Sequence, residues 1–134
     1  MKKAQVAVEY LIVVSLSIAI LTPLIIWAYQ NLIGYKESNN LVLARNAVDK
    51  IGQAVDWVFS QGPPAKMEIE IYLPEGIEEI QIANKTILFK VKTSAGTSDI
   101  FYISLANVTG NLPRTSGYRI VKVQAFENNV TVGV

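Results

Sequence analysis

The sequence predicts an α+β protein: one long N-terminal α-helix, kinked near Pro23, whose C-terminal half packs on a small antiparallel β-sheet head, a lollipop in outline. Three observations predict it. Tyr10 to Tyr35 form 26 consecutive residues without a charge, more than the roughly 20 apolar residues a helix needs to span a bilayer. Residues 36–60 keep helical spacing but place their apolar residues on one face. Residues 65–134 change to an alternation of period two, broken by turn residues.

Composition narrows the function. The 134 residues hold 12 Lys+Arg against 11 Asp+Glu, and no His or Cys. That excludes the commonest zinc sites, thiol chemistry, disulfides and any Ser-His or Cys-His nucleophile pair. A net charge of +1 lacks the basic excess that nucleic acid binding needs. Apart from its N-terminal tip the chain is neutral in every part, so no charged face stands out.

The elements follow in chain order. The run YLIVVSLSIAILTPLIIWAY, residues 10–29, is apolar all round. Trp27, Tyr29 and Tyr35 near its far end suit an aromatic belt, and Lys2 and Lys3 before it set the N-terminus on the cytoplasmic side. The rest of the chain then lies outside. Pro23 lacks an amide donor and clashes with the preceding turn, which predicts a kink or local melting near Leu21–Leu24; lipid-facing helices also tolerate such a proline without further consequence. Leu41, Ala44, Val48, Ile51, Val55 and Val58 then mark one face of a continuing amphipathic helix. It ends at Ser60-Gln61-Gly62-Pro63-Pro64, where Gly serves as C-cap and Pro cannot extend the ladder. A helix from about residue 5 to 60 is about 80 Å long, so it is a membrane anchor with a stalk or a strut in an assembly.

Six short strands are expected in the head. Met67, Ile69, Ile71 and Leu73 alternate with Glu68, Glu70 and Tyr72. Ile77–Ala83 and Thr86–Lys92 read as a hairpin around Asn84-Lys85, followed by a small-residue loop over Thr93–Ser98. Asp99–Leu105 is a strand, Asn107–Gly117 a turn-rich loop, Gly117–Phe126 a long strand and Val130–Val134 a last short one. A sheet of some 70 residues is marginal alone, and the helix face at 41–58 is the one cover the chain offers.

The N-terminus carries the most specific pattern. Lys2-Lys3-Ala4 precedes Gln5, and Glu9 stands immediately before the apolar run. A secretory signal has a shorter apolar core followed by a small-residue cleavage site, which is missing here. On physics alone Glu9 also suits an interfacial acid beside lysines at a helix N-terminus. The leader resembles the class III signal peptide of archaeal type IV pilins, in which a short basic leader precedes a Gln-x-x-x-Glu pattern that opens a hydrophobic helix. The resemblance rests on about ten residues, and on architecture for the rest: long helix, break at Gly62-Pro63-Pro64, small β head. One departure is Ala4, where Gly is common.

The resemblance implies that a prepilin peptidase cuts between Ala4 and Gln5. It divides the chain into a leader (1–4), a transmembrane and filament-core helix (5–35), its amphipathic continuation (36–62) and the β head (65–134). Processing leaves a free amine on Gln5, with 10 Lys+Arg against 11 Asp+Glu. In a bundle of such helices Glu9 would pair with the Gln5 amine, preferentially that of a neighbour, and help set axial register. Ala7, Ser15, Ser17 and Ala19 are small enough for close helix approach, although membrane helices carry such residues in any case. The implied product is a surface filament for adhesion, built from identical or related pilin subunits after residence in the membrane.

Three sequons, Asn84-Lys85-Thr86, Asn107-Val108-Thr109 and Asn129-Val130-Thr131, exceed the roughly one that chance supplies and fall at expected turns or strand ends. They read as N-glycosylation acceptors, hence a glycoprotein, or as turn asparagines. Glu68 and Glu70, with Glu78 and Glu79, read as a solvated strand face opposite lysines such as Lys90 and Lys92, and no catalytic pair or phosphate loop stands out. No cofactor, metal or small-molecule substrate is expected. Two alternatives remain: a single-pass anchored extracellular binding domain that does not polymerise, and an archaellum-type filament subunit. The leader weighs against the first, and the leader with the small head against the second.

Overall fold

A computed structural model describes all of residues 1–134. The chain holds one helix and seven strands: α1 (Lys2–Gln61), β1 (Lys66–Leu73), β2 (Ile77–Ala83), β3 (Thr86–Thr93), β4 (Gly96–Ile103), β5 (Asn107–Gly110), β6 (Gly117–Ala125) and β7 (Asn129–Gly133). It divides into two compact units, Met1–Lys36 and Glu37–Val134.

The first unit is helical, and every residue in it is exposed. The helix continues unbroken through Pro23, so the melting expected near Leu21–Leu24 does not occur. One missing ladder bond at a proline is a local loss that the flanking turns outlast. Polar side chains in this stretch turn back on their own helix. Ser17 Oγ donates to the Val13 carbonyl, Thr22 Oγ1 to that of Ile18 and Asn31 Nδ2 to that of Trp27, each at 2.8 Å.

The second unit is the head. Its helical part buries Ala44, Ala47, Val48, Ile51, Gly52, Ala54, Val55 and Val58, with Leu41 packed at the margin. The apolar stripe read from the sequence is therefore the buried face, widened by small residues. The helix stops where expected: Gly62 takes a left-handed φ of 75° and its amide donates to the Phe59 carbonyl at 3.1 Å, the C-terminal capping geometry that glycine permits.

The strands form two sheets. One has the order β1-β6-β7-β5 and the other β2-β3-β4. Neighbours are antiparallel except β5 and β7, which run parallel with Asn107 opposite Asn129 and Gly110 opposite Val132. This differs from the expected six strands in a single antiparallel sheet. The extra strand, β5, lies in the segment expected to be a loop. Val108 is fully buried, but four residues ahead of Pro113 are too few to show a period. Both sheets and the helix share one apolar core, in which Phe89, Ile51, Leu73, Ile87, Val48 and Val121 are among the side chains fully withdrawn from water.

Candidate functional site

Residues 2–9 form the first turns of α1. The Gln5 amide donates to the Met1 carbonyl at 3.2 Å, so the Ala4–Gln5 bond lies within the helical ladder. A peptidase acting there requires the first turn to fray, which is the part of a helix that opens most readily. Gln5 and Glu9 are one turn apart on the same face, and Gln5 Nε2 donates to Glu9 Oε1 at 3.4 Å. Helical side chains lean towards the N-terminus. The Glu9 carboxylate therefore leans back along the helix towards Gln5, whose side-chain amide it meets. Beyond it, α1 contains a segment long and apolar enough to cross a membrane, with none of that segment buried within the chain.

The head is tied to its own helical part by polar contacts that no sequence pattern reveals. Asp56 is the main one. Its Oδ2 accepts from Tyr102 Oη and its Oδ1 from the Leu105 amide, both at 2.8 Å. Arg45 donates to the Phe101 carbonyl at 3.3 Å and Lys50 to the Glu70 carbonyl at 2.7 Å. At the other end of β4, both Glu37 oxygens hold Ser94, through its amide at 2.6 Å and its hydroxyl at 2.9 Å. These contacts fix the β4 edge, the β3–β4 turn and β1 to α1.

The Tyr102 hydroxyl is held above its ordinary pKa, first by its bond to Asp56, then by burial and by the charges of Asp56 and Asp49. A raised folded pKa means that the folded state keeps a proton which the unfolded state has lost. The contribution is complete below the unfolded tyrosine value of about 10 and is lost as pH rises through the higher folded value. Tyr102→Phe has no such proton. Melting temperatures of the detergent-solubilised chain above about pH 10 should fall more steeply for wild type than for Tyr102→Phe. Parallel profiles would contradict this.

The acidic residues of the sheets are spread over separate surroundings. Glu79 pairs with Lys90 at 3.0 Å and accepts from Gln81 at 2.6 Å. These contacts, the Gln81 bond foremost, hold its carboxyl below the usual range, and Glu79 in turn raises Lys90. Glu78 accepts from Thr97 Oγ1 at 3.1 Å, and its carbonyl from Arg114 at 2.7 Å. An open depression of about 770 Å³ lies among these groups. Glu68 faces Lys122 at 3.8 Å, not Lys90 or Lys92, because β1 pairs with β6. No group of three or more His, Cys, Asp and Glu is placed to hold a metal ion.

The sequon asparagines take defined positions. Asn84 stands at the β2–β3 turn with a φ of 57°, the left-handed conformation that asparagine tolerates. Asn107 opens β5 and Asn129 opens β7. No protein-family model, curated protein or solved structure matches the chain.

Proposed function

We propose that this chain is a structural subunit of a type IV pilus-like archaeal surface filament, serving attachment. In this reading it is made as a membrane-inserted precursor with its N-terminus in the cytoplasm and its head outside. A prepilin peptidase cuts it between Ala4 and Gln5, and it polymerises through its hydrophobic helix.

One observation carries the proposal: in Met1–Lys36 every residue of an all-round apolar helix is exposed, while Glu37–Val134 closes its own core. Exposed apolar surface on that scale needs lipid or protein around it. A bilayer satisfies it before assembly, and identical helices satisfy it afterwards. The internally bonded Ser17, Thr22 and Asn31 suit both settings, since neither supplies water to a polar group. Contacts between identical subunits that do not close into a ring propagate as a helical filament. The Gln5/Glu9 pattern ahead of this helix favours the filament over a plain anchor, which has no use for it. Adhesion as the filament's task rests on the family resemblance alone.

The test is to shear surface filaments, purify them and determine the subunit's N-terminus by mass spectrometry. A subunit beginning at Gln5 inside filaments is expected. An uncleaved form beginning at Met1 and confined to membranes would sink the proposal.

A further inference from the structure

The three sequons are far apart in sequence and together in space. Two of them contain the same tripeptide, Asn-Val-Thr, and these two lie side by side. Asn107 is the register partner of Asn129, Val108 of Val130 and Thr109 of Thr131. Val108 and Val130 are fully buried, so alternation puts both asparagines and both threonines on the outward face. The third sequon meets the same pole: the Val108 amide donates to the Asn84 carbonyl, which seats the β2–β3 turn against the start of β5.

We infer that Asn84 and Asn107 are carbohydrate acceptors at one pole of the head, and that Asn129 is left unmodified. The inference rests on the extracellular placement of the head proposed above. Three facts separate the sites. Asn84 is exposed at the turn of a hairpin. Asn107 is exposed and starts β5, an edge strand of its sheet. Asn129 is half-buried and starts β7, which is flanked by β6 on one side and β5 on the other.

Sterics sharpen the choice between the two Asn-Val-Thr copies. Adjacent strands are about 4.8 Å apart, and a sugar ring is wider than that. Two in-register asparagines on neighbouring strands compete for the same space outside the sheet, and the exposed edge position is favoured. The sugar on Asn84 also has a surface to cover. Thr86 of its sequon is the register partner of Ile103, and the Ser104 amide donates to the Lys85 carbonyl at 2.8 Å. Ile103 and Leu105 stand beside that turn, 67% and 69% exposed.

The experiment is glycopeptide mapping and intact mass of the full-length subunit purified from the cells that make it. Protease treatment of intact cells reports separately whether the head is exported. Sequons are removed through their hydroxyl residue, which leaves each asparagine and its backbone in place: Thr86→Ala, Thr109→Ala and Thr131→Ala. Wild type should carry glycans on Asn84 and Asn107 and none on Asn129. Thr86→Ala and Thr109→Ala should each lose one glycan mass, Thr86→Ser and Thr109→Ser should restore it, and Thr131→Ala should lose none. An exported head with Asn84 or Asn107 bare, or with Asn129 loaded, overturns the assignment and leaves the filament proposal standing. A head that is not exported overturns both.

Discussion

Glu9→Gln should sharply reduce the yield of filaments while leaving cleavage at Ala4–Gln5 and membrane insertion intact. Under the filament proposal, processing creates an amine on Gln5 and burial in a helical bundle then removes water from it. Glu9 is the sole carboxylate between that amine and Glu37. Removing one partner of a buried pair strands the other charge and costs about 3–5 kcal/mol. For each subunit added, that weakens association about a hundredfold to several thousandfold. The loss should appear in the sheared fraction, with processed subunit accumulating in membranes.

Glu9 has two candidate partners, the Gln5 side-chain amide and the Gln5 amine, and they are separable. The contact seen in the chain comes from the Gln5 side-chain amide at 3.4 Å, a surface pair of a kind worth only about 0.2–0.5 kcal/mol. The amine is a backbone feature that side-chain truncation leaves in place. Gln5→Ala, compared among processed molecules, should therefore keep most of the filament yield that Glu9→Gln loses. Normal filaments from Glu9→Gln would remove the charge pair from the account of assembly. Equal losses in both variants would assign the effect to the amide.

What was legible in the sequence was local, and what was missed involves residues far apart in the chain. The buried stripe from Ala44 to Val58 shows because neighbours on a helix face are three or four residues apart. The end of α1 shows because Gly62 and two prolines act within one turn. The β2–β3 hairpin shows because Asn84-Lys85 makes the turn by itself. Strand β5 is different. Its pairing with β7 joins residues 22 positions apart, and Val108 gives no sign of which strand will cover it. The split into two sheets has the same origin, since β1 finds β6 across the whole of the second sheet. Asp56 is the clearest miss at the level of side chains. In sequence it is a charge between two apolar positions of a helix. Its role depends on Tyr102 and Leu105, 46 and 49 residues away, which no periodicity reveals. The Gln5/Glu9 spacing is local in the same way, one turn on one helix face, and the all-round apolar run needs no partner to be recognised.

The head should lose more stability from one added methyl group at Gly52 than from loss of either exposed ion pair on the sheets. Gly52 is buried in α1 against the ring of Tyr102. A Cβ built there falls within 3.0 Å of the Cγ, Cδ1 and Cε1 atoms of that ring, a separation that Cβ atoms do not otherwise show. Two terms oppose each other. Alanine is the better helix former by about 1 kcal/mol, which favours the variant. Against it stands overpacking of a filled core, about 1–3 kcal/mol. The ring also cannot swing aside freely, because its hydroxyl is bound to Asp56 at 2.8 Å. Moving it sacrifices a hydrogen bond to a charged group, worth about 1.5–3 kcal/mol. The clash and the lost bond outweigh propensity, so Gly52→Ala should destabilise by about 1.5–5 kcal/mol. Exposed ion pairs such as Lys122–Glu68 contribute about 0–1 kcal/mol. Denaturant unfolding of the solubilised chain, followed by near-ultraviolet circular dichroism, measures the difference. A double-mutant cycle isolates the cause. With Tyr102→Ala in the background, the obstacle is gone and only propensity remains, so adding Gly52→Ala should become neutral or stabilising by up to about 1 kcal/mol. A change of sign identifies the ring as the reason that this helical position is glycine, whereas an unchanged penalty would place the obstruction elsewhere in the packing of α1 on the sheets.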